Sequence, residues 1–87
     1  MSLKFAFGHA VYNARSNFGW TQEEVAEAIG ISVRWYQKIE KGEYLPSATV
    51  MLRLIILLEI DTAQFNQKVG INYAGLLLSN RTKADLT

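Results

Sequence analysis

Phe7, Ala10, Val11, Ala14 and Phe18 fall three or four residues apart, the spacing that gathers side chains on one face of an α-helix. The pattern predicts a first helix over about residues 5–18, ended by Gly19. A second helix is expected to start at Thr21. The threonine suits an N-cap, Glu24 stands where a capping-box partner reaches back, and Trp20 and Val25 occupy the two positions of a hydrophobic staple. Val25, Ala26 and Ile29 form its apolar stripe, and Gly30 supplies the left-handed residue that stops it. Ser32 then caps a third helix, with Ile31 and Tyr36 as the next staple pair. Only Gly30 and Ile31 separate the last apolar position of the one helix from the cap of the next, which leaves room only for a sharp turn. Residues 21–42 are therefore expected to form a helix-turn-helix.

Beyond the motif, Pro46 closes the loop and Ser47 is placed to cap a fourth helix, about Ala48 to Glu59. Met51, Leu54, Ile55 and Leu58 lie along one face, but Val50, Leu52, Ile56 and Leu57 fall elsewhere on the wheel. A helix apolar nearly all round must bury a second surface, against the C-terminal segment of its own chain or against a second subunit. Asp61 with Gln64 as a capping box, and Ile60 with Phe65 as a staple, predict a fifth helix ending near Val69. In residues 71–78, Ile71, Ala74 and Leu78 fit a helical face, whereas the three consecutive leucines fit an extended strand equally well. The expected organisation is a domain over residues 1–70 and a C-terminal extension over 71–87; Met1 to Leu3 receive no functional weight.

At about 100° per residue, Tyr36 and Ile39 of the third helix point inward. Arg34, Gln37, Lys38 and Lys41 gather on the opposite side, with Val33 and Trp35 on the flanks. A polar helix face with lysine and arginine is most often simply solvated. Position changes the reading here, because these cations begin in the first turn of the second helix of a capped helix-turn-helix, where side chains reach a major groove.

Arg15, then Thr21, Gln22, Glu23, Val25, Ala26, Ile29, Gly30, Ile31 and Ser32, and later Ile39, Glu40, Lys41 and Gly42 stand in a familiar register. Over about residues 5–69 the chain resembles the phage-repressor and Cro type of helix-turn-helix regulator, the XRE family. The resemblance implies an all-α, five-helix lambda-repressor-like domain with the motif at its second and third helices. It also implies a cytoplasmic, sequence-specific regulator of double-stranded DNA, a repressor, and a structural ion pair between Arg15 and Glu40. On that reading Val33, Arg34, Gln37 and Lys38 face base edges, Arg34 with two bonds for guanine and Val33 with an apolar contact for a thymine methyl. Gln22, Ser32, Lys41 and Tyr44 hold phosphates, Gln22 together with the amides at the start of its helix. Tyr44 could equally be a packing residue, and Glu43 departs from the pattern, since a carboxylate beside a phosphate opposes binding. Trp35 is expected to pack against the second helix rather than stack on bases, which a duplex does not offer.

Composition narrows the alternatives. With 87 residues, 49% of them hydrophobic and 20% charged, the chain reads as one globular domain. The net charge of +1 is spread unevenly: residues 1–19 carry +2, residues 20–42 carry −1, and the remainder balances. Any DNA contact must rest on a local patch. The chain has no cysteine, and its one histidine, His9, lacks a companion at i+3 or i+4, so no metal and no cofactor are expected. The longest apolar run, Leu54 to Leu58, falls far short of the ~18 residues of a membrane span, and no signal-peptide pattern opens the chain. Carboxylates that read as caps and ion-pair partners, with no glycine-rich phosphate loop, argue against an enzyme, and no small-molecule ligand is evident. A homodimer through the fourth helix and residues 71–78 would cover the surplus apolar surface and match two operator half-sites. The competing reading is a protein-interaction module that keeps the fold without DNA binding.

Overall fold

Four α-helices and a 3-10 turn follow one another in the computed structural model, which describes residues 2–65: α1 (Leu3–Phe18), α2 (Gln22–Ile29), α3 (Val33–Glu40), α4 (Ala48–Leu58) and the turn Thr62–Phe65. The class is all-α, and no strand occurs among the described residues. Residues 71–78 and the whole extension 71–87 lie outside them.

Each α-helix opens on a hydroxyl side chain. Ser2, Thr21, Ser32 and Ser47 accept the amide N–H of Phe5, Glu24, Trp35 and Val50 respectively. A cap of this kind contributes about 1 kcal/mol. At Thr21 the box is reciprocal, with Glu24 Oε1 accepting the Thr21 amide N–H at 2.8 Å. Gly30 ends α2 at φ 80°, and the next helix is capped only two residues later, so α2 and α3 meet across the sharp turn that the spacing requires.

Three boundaries differ from the sequence expectation. α1 begins at Leu3 rather than Phe5, because Ser2 is an extended N-cap. Phe18, expected on the buried stripe, is exposed and stacks on Trp20 with ring centroids 4.6 Å apart. α4 stops at Leu58, and Glu59 takes the left-handed conformation at φ 51° as its C-cap. Where a fifth α-helix was expected, the chain makes a 3-10 turn. Asp61 Oδ1 accepts the Ala63 amide N–H two residues on, so the aspartate caps this turn from the expected position, and the Gln64 side chain is not among the described side chains. The staple residues Ile60 and Phe65 are both buried, and the continuation toward Val69 lies outside the described residues.

The core joins Phe7 and Val11 of α1, Val25 and Ile29 of α2, Tyr36 and Ile39 of α3, and Leu54 and Leu58 of α4. Met51 and Ile55 only partly enter it. Val50 and Leu57 pack on its edge, so the surplus apolar surface of α4 narrows to Leu52 and Ile56, which are 57% and 74% exposed one turn apart.

α1 and α3 touch backbone to backbone at Gly8. A Cβ built there would overlap the carbonyl oxygen of Ile39 and lie 2.9 Å from that of Glu40. Both obstacles are main-chain atoms of the motif helix, so they cannot turn aside as a flexible side chain would. Gly8→Ala should therefore lower stability by about 1–3 kcal/mol, the range for overpacking, read as a lower thermal midpoint by circular dichroism. An unchanged midpoint would show that the two helices part freely.

Candidate nucleic-acid interface

The last residue of α3 anchors the motif. Glu40 is reached from α1 by Arg15, whose Nε donates to Oε2 at 2.6 Å and whose Nη2 donates to Oε1 at 3.2 Å. From α2, Gln22 Nε2 donates to Oε1 at 3.0 Å, and one turn back on α3 the Tyr36 hydroxyl donates to Oε2. The Arg15 and Glu40 side chains are only 14% and 5% exposed, so this is an ion pair withdrawn from solvent, with its hydrogen-bonding capacity filled. Arg15 Nη1 also donates to the Trp20 carbonyl at 2.9 Å, tying the α1–α2 link to the same guanidinium.

The electrostatics follow from that geometry. Burial alone pushes the Glu40 carboxyl up. The hydrogen bonds from Arg15, Tyr36 and Gln22, with the Arg15 charge, outweigh it and hold the group below its ordinary value of 4.5. Burial, then the hydrogen bond to Glu40 and its charge, keep the Tyr36 phenol protonated far above its usual range. The Arg15 guanidinium is raised by its hydrogen bond to Glu40 and by the carboxylate charge, against a smaller opposing effect of burial.

From Gln22 the hydrogen bonds continue outward: its Oε1 accepts from Gln37 Nε2 at 3.1 Å. Gln22 and Gln37 are thus bonded side by side at the seam of α2 and α3. Beyond them α3 exposes Arg34, while Val33 is half-buried against the core and shows only part of its surface. Lys38 is half-buried, its Nζ 5.0 Å from the centroid of the Trp35 ring. Trp35 meets Tyr44 of the following loop at 4.6 Å between centroids, both rings about half exposed. Trp35 therefore packs on the α3–α4 loop, not on α2 as expected. The loop after α3, with Gly42 at φ 75°, brings Tyr44 against its ring. Lys41 is the exposed C-cap of α3, and the Ser32 hydroxyl accepts the Trp35 amide N–H while keeping its own proton to donate.

Two contributors escaped the sequence reading. Tyr36 entered it as an apolar core position, although a tyrosine four residues before a glutamate on one helix places its hydroxyl beside that carboxylate. Arg53 of α4 donates from Nη1 to the Ile29 carbonyl at 3.1 Å, closing the C-terminus of α2 where carbonyls lack helical partners. A single cation in an otherwise apolar helix was the available signal. His9 is exposed. Among the described residues, no group of three His, Cys, Asp or Glu side chains could hold a metal, and no helix is long and apolar enough to cross a membrane.

Comparison with known proteins agrees with this arrangement. The helix-turn-helix family model matches residues 11–65, and the chain belongs to that family, in its phage-repressor and Cro branch of DNA-binding transcription regulators. It is 36% identical over 44 residues to the uncharacterised HTH-type transcriptional regulator YgzD of Bacillus subtilis (strain 168), covering 51% of this chain and 67% of that one. It is 35% identical over 54 residues to the ImmF control region 10 kDa protein of Bacillus phage phi105, covering 62% of this chain and 60% of the phage protein, under two thirds of its length. The crystal structure of the clp gene regulator ClgR from Corynebacterium glutamicum superposes with a TM-score of 0.69 at 24% identity, covering 99% of this chain and 87% of ClgR, a likeness of fold.

Removing Arg15 would leave the Glu40 carboxylate buried without its cation. Arg15→Ala should cost about 3 kcal/mol, measured by denaturant unfolding, and a variant as stable as the parent would dismiss the pair as a source of stability. The Glu40 shift also sets an acid limit. Because the folded value lies below the unfolded one, the unfolded chain takes up the proton first as pH falls. The stabilisation is complete above the ordinary carboxyl value of 4.5 and is lost as the pH drops through the folded value. Thermal midpoints of the parent should fall more steeply below that pH than those of Glu40→Gln; parallel curves would assign the acid sensitivity elsewhere.

Proposed function

We propose that the chain is a cytoplasmic, sequence-specific repressor that lays α3 in the major groove of double-stranded DNA. The observation that carries this reading is the outward face of α3. It sets Arg34, Gln37 and Lys38 beside exposed Lys41, on a helix whose inner face is fully committed to the core. Arg34 suits two bonds to guanine, and the exposed part of Val33 suits a thymine methyl. The Gln22 and Glu23 amides at the start of α2, together with the Gln22 side chain, Ser32, Lys41 and Tyr44, would hold the phosphates. The Tyr44 ring leans on Trp35, which leaves a packing and a phosphate role compatible for one side chain. The name of the phage relative, ImmF control region 10 kDa protein, supports a control role of this kind.

A two-fold dimer through α4 and residues 71–78 completes the proposal, supported by the exposed Leu52 and Ile56. The same two residues favour the other reading, a module that docks on protein rather than DNA. Titration with random-sequence DNA separates the two, since a DNA reader shows salt-sensitive association and a docking module shows none. Selection from a random pool should return inverted half-sites about one helical turn apart; single, unpaired sites would overturn the dimer. On the selected site Arg34→Ala should lose about 1–3 kcal/mol of binding and relax preference at one base pair. Equal losses on selected and random DNA would reassign Arg34 to a phosphate.

A further inference from the structure

The amide group of Gln37 would be free to present either end to DNA if nothing held it. A side-chain amide carries an acceptor on one side and donors on the other, and turning it over exchanges the base edges it can meet. Here the turn is blocked two hydrogen bonds away, at Glu40. The Glu40 carboxylate is ionised and can only accept, so the end of Gln22 that lies 3.0 Å from Oε1 must be its NH2 group. That leaves Gln22 Oε1 on the far side, and the end of Gln37 that lies 3.1 Å from it must again be NH2. No described residue donates to Gln37 Oε1. Turning Gln22 over would set a carbonyl against a carboxylate; turning Gln37 alone would set carbonyl against carbonyl. Arg15 and Tyr36 occupy the remaining positions around Glu40, so the carboxylate cannot swing away to relieve either clash.

We infer that Glu40, acting through Gln22, fixes the polarity of Gln37 so that its carbonyl oxygen faces the groove and selects a base carrying an exocyclic amine, adenine or cytosine. This rests on the DNA-reading function proposed above. Adenine is the better match, because Gln37 keeps one N–H beside Oε1 and can meet N7 and the N6 amine together. Glu40 and Gln22 are positioning residues in this scheme; Gln37 alone touches the base. The ion pair that locks the motif thereby also reaches into its specificity.

The test uses the full chain and sites selected from a random pool. The base pair read by Gln37 is the one whose preference disappears in Gln37→Met. At that pair the amine is then deleted, with purine in place of adenine or 2-pyrimidinone in place of cytosine, and affinity is compared by competition. For the parent, deletion should weaken binding roughly tenfold, and in Gln37→Met the same deletion should have no effect beyond its influence on the duplex. Gln22→Met, checked for a parent-like thermal midpoint, frees Gln37 to turn over and should shrink the deletion effect several-fold while preferences at other pairs persist. If amine deletion leaves parent binding unchanged, or Gln22→Met keeps the full effect, the relay is overturned and the DNA-reading function stands. If Gln37→Met alters no base pair, Gln37 does not read and the inference fails likewise. A parent that selects no sequence at all overturns the DNA-reading function itself, and this inference with it.

Discussion

The Glu40 carboxylate accepts four hydrogen bonds, two from α1 through Arg15, one from α2 through Gln22 and one from Tyr36 on its own helix. Three of the four helices are thereby referred to one pair of oxygen atoms. The apolar core brings the helices together but is indifferent to small rotations, because dispersion and hydrophobic burial lack direction. Hydrogen bonds to a charged group are directional and lose strength quickly off geometry. Burial therefore sets how close α3 sits, and the carboxylate sets which way it faces. On the proposed function, in which α3 presents side chains to a groove, the second quantity matters as much as the first.

α4 enters this frame differently. It contributes Leu54 and Leu58 to the core, and Arg53 ties it to the last carbonyl of α2. α2 is thus held at both ends, by Glu40 at Gln22 and by Arg53 at Ile29. Each contact satisfies a polar group that would otherwise sit unpaired at a helix terminus or in the interior. Trp35, Tyr44 and Lys38 form a third, looser contact on the outside, where the loop after α3 folds back over its flank.

Most of the scaffold was legible before any coordinates because its signals are local. Thr21 with Glu24, Ser32, Ser47 and Gly30 act on backbone groups within a few residues, so their positions alone disclose α2, α3 and the start of α4. The family resemblance supplied the Arg15 and Glu40 partnership, which joins residues 25 apart and leaves no local trace. What the pattern could not disclose depends on three-dimensional neighbours. Trp35 stands on the flank of its helical wheel, and only the path of the loop decides whether it turns to α2 or to Tyr44. Phe18 fits the stripe of α1 by spacing, yet the stripe runs past the end of the core and leaves the ring to Trp20. Where the fifth helix was expected, the described residues Thr62–Phe65 make a 3-10 turn, a difference of winding that spacing over four residues does not reveal. For Gln22 and Gln37, the residue types were readable as surface groups, but their mutual hydrogen bond was not.

The bare contact at Gly8 has a consequence for how such a protein can change over time. The distance between α1 and α3 is set by main-chain atoms, which every residue has, and not by the side chains that α3 displays. Arg34 and the exposed part of Val33 take no part in that contact or in the bonds to Glu40. Arg34, which is exposed, can be exchanged for other residues without moving the helix that carries it, whereas Val33 also packs on the core. Gln37 has less freedom, since a replacement must still satisfy its neighbour. Under the proposed function, a lineage would therefore acquire new target sequences mainly at the first turn of α3, while the far end stays bound to the frame.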